Sequence, residues 1–415
     1  MIGLLRRRRA FRIGIGARGL SLLGSEMTIV AIPFLVFALT HSPFAVGAVG
    51  IVEAVPLVVV ALYAGALADA VDRKRMVIAA ELGGALVAAI LLANALLPHP
   101  SLAVVYAGAG LGTACYALLR PPMDAIIPRT VEPGELTTAF AIEGVQFNLG
   151  AVAGPALAGV LLAATSVEVL FAIDLASFTA SALLLTRLPS FAPEAGKRLQ
   201  PLKDIREGIA YARSRQELVG TYVVDLIAMI FGMPQALFAA LAPSLGGPRA
   251  LGLLYAAPAV GALVVSAASG PAKHVRRQGR AIVLAAAGWG AAIVAFGFAG
   301  SLPLALVALA VAGGFDAVSG LFRFTLWNQT IPDHLRGRLA GLEMVSWGAG
   351  PGLGDLEAGS IAGLTSIKTA IVSGGIACVA GCAATGAALP ALWRYEAPLD
   401  SDPDARGASA PGIPS

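Results

Sequence analysis

The chain has 415 residues, of which 57% are hydrophobic and only 13% charged, with a formal net charge of +4. Such a length could hold two or three water-soluble domains, but this composition excludes them and makes lipid the solvent for most of the chain. Long apolar runs, for example 29–39, 55–67, 76–97 and 281–299, recur through almost the whole length. They are continuous and do not alternate with polar residues, so they read as helices whose backbone groups pair within the segment, and not as barrel strands.

Residues 1–15 carry Arg6, Arg7, Arg8, Arg9 and Arg12. The apolar run that follows is of span length, lacks a clean small-residue cleavage site and precedes many more spans, so this segment reads as a basic cytoplasmic N-terminus and not as a signal peptide. Twelve spans are predicted, at about 16–39, 44–64, 77–97, 101–122, 137–163, 167–187, 217–241, 249–269, 281–299, 302–325, 339–363 and 368–393. Loops after odd-numbered spans are short and nearly free of positive charge. The other side holds the Arg73, Lys74, Arg75 cluster and most of the remaining basic residues, with only Arg249 and Lys368 of the 29 on the sparse side. The positive-inside rule then puts both termini in the cytoplasm and the chain in a cytoplasmic (inner) membrane.

The longest polar stretch, 189–216, is predicted to be a cytoplasmic linker with an amphipathic helix near 202–212, joining a bundle at 16–188 to a bundle at 217–395. The tail 396–415 is rich in Pro, Asp, Ser and Gly and is expected to be disordered. Cys115, Cys378 and Cys382 all fall inside apolar runs, where a thiol usually packs. No disulfide, metal, cofactor or nucleic-acid site is indicated. The four histidines sit in loops without metal-ligand spacing, there is no Walker-type phosphate loop, and catalysis is not expected. Trp289, Trp327, Trp347 and Trp393 suggest packing or interfaces only.

Features recur at an offset of about 200 residues, which suggests an internal duplication. Gly65 corresponds to Gly270, Arg120 to Arg323, the Ile127, Pro128 pair to Ile331, Pro332, and Glu143 to Glu343.

Between the second and third spans stand Gly65, Asp69, Asp72, Arg73, Lys74 and Arg75. The segment resembles the signature loop of the major facilitator superfamily, with Ala70 in place of the usual arginine and Asp72 in place of the usual glycine. The acidic residue before the basic triplet, together with segments 94–98, 252–257 and 337–342, is similar to the branch of enterobactin (siderophore) exporters and macrolide-efflux proteins. A second motif, Gly150, Gly154, Pro155 and Gly159, resembles the antiporter motif of that superfamily, with Ala158 replacing one glycine. On bare physics it is a small-residue face for close helix packing, with a proline that permits bending. The resemblance implies an all-α membrane fold of two pseudo-symmetric six-helix bundles, in which the first, fourth, seventh and tenth helices line a central path.

An ionisable side chain costs roughly 2.5–3.5 kcal/mol at the centre of a span, so each asks for a partner or a purpose. Glu26 and Asp225 are expected at similar depth in the first and seventh spans, and Asp316 lies in the tenth span on about the same face as Arg323, two turns on. The resemblance makes these four the candidate proton and substrate groups, with a structural ion pair or polar helix contact as the competing reading of each. Glu53, Glu143, Asp174, Glu343, Asp355 and Glu357 rank lower. Arg120 and Asp124 close the fourth span beside the cytoplasmic loop, where Arg120 is expected to pair with Asp69 in a gate that breaks during the cycle, with simple surface anchoring as the competing reading.

The resemblance implies a monomeric secondary transporter that exports a small molecule, siderophore-like or another metabolite, by alternating access with proton antiport. Acidic cavity charges fit a polyanionic catecholate poorly, which keeps macrolide or multidrug efflux of neutral or cationic compounds as an alternative. A non-transporting receptor or scaffold also matches the topology but leaves the buried acids unexplained.

Overall fold

The computed structural model describes residues 2–191, 207, 209–268 and 270–397; within these, the side chains of Ala66, Asp69, Pro271, Lys273, 333–338 and 340–347 are not described. The predicted amphipathic linker helix and the tail lie largely outside the described residues, although 209–213 is helical. The long helices are α1 (Arg9–Thr40), α2 (Pro43–Ala70), α3 (Arg73–Ala95), α4 (Leu102–Ile126), α5 (Leu136–Ala164) and α6 (Val167–Leu185). They continue as α7 (Gln216–Phe231), α8 (Pro248–Ala267), α9 (Gln278–Gly297), α10 (Leu302–Thr330), α11 (Asp333–Leu364) and α12 (Ile367–Ala388). Among the described residues there is no strand, and eleven helices are long and apolar enough to cross a membrane. The remaining long helix, α11, falls outside that set, its sequence diluted by glycines and by Asp355 and Glu357.

Three predicted edges move. The basic start is helical, as a short helix Ile2–Arg7 followed by α1 from Arg9. At about 1.5 Å per residue, α1 is longer than the ~30 Å hydrocarbon core, so its arginine-rich first turns project beyond it. Gly65 lies inside α2 and not at a turn, and a Cβ there would meet nothing within 4 Å. It therefore serves no close helix approach in this structure.

The seventh span is interrupted. After α7 come Gly232, Met233 and Pro234, a 3-10 turn Gln235–Leu237 and a short helix Phe238–Leu245. Pro234 has no N–H to continue the ladder. The Gly232 carbonyl, freed because the Ala236 N–H turns to Asp355, accepts from Trp289 Nε1 at 2.7 Å, and that indole occupies the space a side chain at 232 would need.

Helix neighbours repeat six helices on. α1 packs on α5 and α6, α2 on α4, and α3 on α4 and α6; α7 packs on α11 and α12, α8 on α10, and α9 on α10 and α12. Two seams join the groups, α2 on α11 and α5 on α8. Both are built on glycines. A Cβ on Gly50 would stand 2.6 Å from the Gly352 carbonyl, and one on Gly159 would stand 2.9 Å from Gly252 Cα. Gly47 against Asp355 and Gly359 against Pro43 extend the first seam. All of these contacts fall toward the helix ends remote from the basic loops.

Candidate functional site

Two polar rungs join α7 to α10. Asp225, 4% exposed, is ion-paired with Arg323, whose Nη2 is also 3.8 Å from Oδ1 of the half-exposed Asp316. One turn away, Trp327 Nε1 donates to Thr221 Oγ1 at 2.9 Å and the Trp327 ring stacks on Tyr222 with centroids 5.3 Å apart. Residues 221 and 225, and 323 and 327, are each four apart and share a helix face, which is why both rungs form. Three of the four predicted proton and substrate candidates therefore come together. Trp327, assigned only packing from sequence, carries a buried hydrogen bond.

Glu26 is elsewhere. It faces α5, where Gly154 leaves the room that Glu26 Cβ occupies, and Gly150 does the same for Leu22. The antiporter-like motif thus divides its glycines between two partners, with Gly150 and Gly154 receiving α1 and Gly159 receiving α8. Pro155 contributes its carbonyl, which Gly252 of α8 approaches closely. Counted from the helix starts, Asp225 of α7 is matched by Arg18 of α1 and not by Glu26, because α1 begins at Arg9. Arg18 is ion-paired with Glu143 of α5 and lies 3.1 Å from Asp124 of α4. Arg120 reaches Asp124 at 3.6 Å. The Asp69 side chain, expected against Arg120, lies outside the described residues, as does that of Glu343.

A further pair of carboxylates lies beneath the α2/α11 seam. Asp355 Oδ1 accepts from the Ala236 N–H at 2.8 Å, capping the 3-10 turn that follows the break in α7. Glu53 of α2 is within electrostatic reach of Asp355, and both act on Tyr255 of α8, whose hydroxyl donates to the Gln235 carbonyl at 3.2 Å. Both acids rank low from sequence because their helices are not among those expected to line the path. Only the packing shows that they meet across the two groups of helices. Among the described residues, no cluster of three or more His, Cys, Asp or Glu side chains suits a metal ion.

The signature loop is a set of helix caps. Asp72 accepts from the Lys74 N–H at 2.8 Å at the start of α3 and is hydrogen-bonded by the Ser190 hydroxyl. Partial desolvation raises the Asp72 carboxyl, but hydrogen bonds from Ser190 and from the N–H groups of Lys74, Phe191 and Arg75 outweigh it and hold the group below its ordinary value of 3.8. Buried Arg73 donates to the Ala68 carbonyl at 3.2 Å, and Lys74 Nζ donates to the carbonyls of Thr186 and Leu188 at 2.7 and 2.6 Å. Arg75 is exposed.

Chemically, Arg18 and Arg323 are committed to carboxylates, whereas Glu26 and Glu53 have no basic side chain against them among the described residues. The arrangement suits proton exchange and the binding of neutral or cationic groups better than polyanions.

A family model described as transmembrane secretion effector matches residues 5–403. The enterobactin exporter EntS of Citrobacter koseri is 31% identical over 376 residues, covering 90% of each chain. That of Escherichia coli is 30% identical over 375 residues, covering 90% of this chain and 89% of its own. Among solved structures, a POT peptide transporter superposes with a TM-score of 0.77 at 11% identity, covering 94% of this chain and 96% of its own. The nucleoside transporter NupG gives 0.75 at 14%, covering 90% and 99%. At those identities the likeness is one of fold.

Proposed function

Because the chain belongs to the transmembrane secretion effector family of the major facilitator superfamily, and is thus a multi-pass membrane transporter and not an enzyme, we propose that it exports a small molecule by alternating access in exchange for protons. The cargo is siderophore-like or a related metabolite, following the enterobactin exporters it is similar to. In this reading twelve helices span the inner membrane as bundles at 16–188 and 217–395, joined by the linker 189–216. Both termini are cytoplasmic, and the working unit is a monomer.

The observation that carries the reading is the pair of glycine seams at one end of the molecule, with carboxylates just beneath them. With the basic loops in the cytoplasm, the seams close the outer end, which is the loading state of an exporter. A second reading, efflux of neutral or cationic compounds of macrolide type, is favoured by the commitment of Arg18 and Arg323 to acidic partners.

The test is retention of siderophores and macrolides in cells with and without the chain, repeated with an uncoupler and with Glu26→Gln. A compound retained in the deletion strain, in uncoupled parent cells and in the variant supports proton-driven export and names its class. No difference for any compound overturns the export reading.

A further inference from the structure

Behind α1, away from its contact with α5, a polar cluster is buried inside the first six helices. Glu81 of α3 and Asp174 of α6 are 1% and 3% exposed. Thr28 of α1 donates to Asp174 Oδ2 at 2.6 Å, and Gly24 leaves space that Asp174 and Ser177 fill. Ser21 of α1 and Ser181 of α6 face Glu81, and Asp174 acts on Glu81 electrostatically. Glu81 Oε2 and Asp174 Oδ1 are both fully buried and have no hydrogen-bond partner among the described residues.

Among the described residues, the surroundings hold no cation for either group. α4 meets α3 on another face, with Cys115 against Gly83. Arg18, one turn before Ser21, is held by Glu143 and Asp124, and Lys74 at the start of α3 is held by the carbonyls of Thr186 and Leu188. Glu26 faces α5. Two uncompensated anions in one buried cluster cost several kcal/mol each by order of magnitude. A carboxylic acid carries no net charge and brings its own O–H donor, which an unpartnered carboxylate oxygen lacks.

We infer that Glu81 and Asp174, with Ser21, Thr28, Ser177 and Ser181, form a proton-binding site inside the α1, α3 and α6 packing, apart from the two seams between the groups of helices. Occupied, it seats α1 on α3 and α6 through neutral hydrogen bonds. Emptied, it leaves two like charges behind the helix whose other face carries Glu26. The site deepens the proton-coupled reading and rests on it only for what the proton does; binding of the proton is independent of any cargo.

The test is infrared difference spectroscopy of the purified full-length protein in lipid, titrated over about pH 5 to 9 in potassium buffer and again with sodium. The carbonyl bands of protonated carboxyls should grow as pH falls, with one pH-dependent component missing in Glu81→Gln, another missing in Asp174→Asn and both missing in the double variant, over the bands that Glu26 and Glu53 contribute to all four proteins. Thr28→Val, which keeps the shape of the helix face, should move the frequency of the Asp174 component. A double-variant spectrum identical to that of the parent at every pH, or components at Glu81 and Asp174 that ignore pH or disappear with sodium at constant pH, overturns the site, as does an unmoved frequency in Thr28→Val. Loss of the band in the double variant without any proton dependence of export would retain the site and sink only the antiport reading.

Discussion

Arg18 of α1 and Asp225 of α7 each occupy the third turn of the first helix in their group, and they carry opposite charges. Each ties that helix to the fourth of its group, Arg18 to Asp124 and Asp225 to Arg323. What the repeat preserves is an ionic tie at that depth; the direction of the charge pair is reversed.

Asp225→Ala should therefore lower stability by up to about 3 kcal/mol, since it leaves largely buried Arg323 with only the more distant, half-exposed Asp316 as a carboxylate partner among the described residues. Combined with Arg323→Ala, the loss should be well below the sum of the single variants. Thermal unfolding of the purified protein in detergent measures both, and additive losses would deny the pairing.

The neighbouring rung should be weaker. Trp327→Phe and Thr221→Val should each cost about 1 kcal/mol, with little further loss in the double variant, because one neutral hydrogen bond is removed in every case. The same unfolding assay reads it.

How much of this was legible in sequence depends on the range of the interaction. Apolar run length marks most spans because lipid leaves the backbone no other partner. The contact of Asp316 with Arg323 follows from helical spacing within one segment. The start of α1 was not legible, because arginine-rich turns read as polar although Arg and Ala favour helix. The break in α7 is signalled by Gly232 and Pro234, yet Pro33, Pro56, Pro155 and Pro258 all stay inside helices, so the proline alone does not decide. What decides is Trp289, more than 50 residues away, supplying a partner for the freed carbonyl. Glu81 was invisible for a similar reason: its surroundings come from α1 and α6 and exist only once the bundle is packed.

The seams offer a conformational prediction. Gly159→Leu places carbon atoms where Gly252 Cα and the Pro248 carbonyl already stand, at 2.9 and 2.8 Å from even the first added atom. Overpacking of about 1–3 kcal/mol should weaken the closed end. A cysteine introduced at Glu53, beneath the neighbouring seam, should then react faster with a membrane-impermeant thiol reagent added from outside. Equal rates in both backgrounds would show that the α5/α8 contact does not hold that end shut.

At the signature loop the sign of the pH effect is defined. Because the folded Asp72 carboxyl lies below its ordinary value of 3.8, its contribution is fully present above that value and is lost as pH falls through the lowered one. Asp72→Asn should flatten that acid response, and Asp72→Ala should cost about 1 kcal/mol as a lost N-cap. Hydrogen exchange at the first turn of α3, followed from neutral to acid pH, distinguishes the three proteins.

Three consecutive residues of that loop hold three different helix ends: Asp72 the start of α3, Arg73 the end of α2, and Lys74 the end of α6. Mechanically this is a bracket. A tilt imposed on α2 at its seam with α11 is delivered through one tripeptide to α3 and α6, so these helices pivot as a unit. Bending then has to be taken up by α1, α4 and α5, whose ties to one another are side-chain contacts that can be remade within a single stroke.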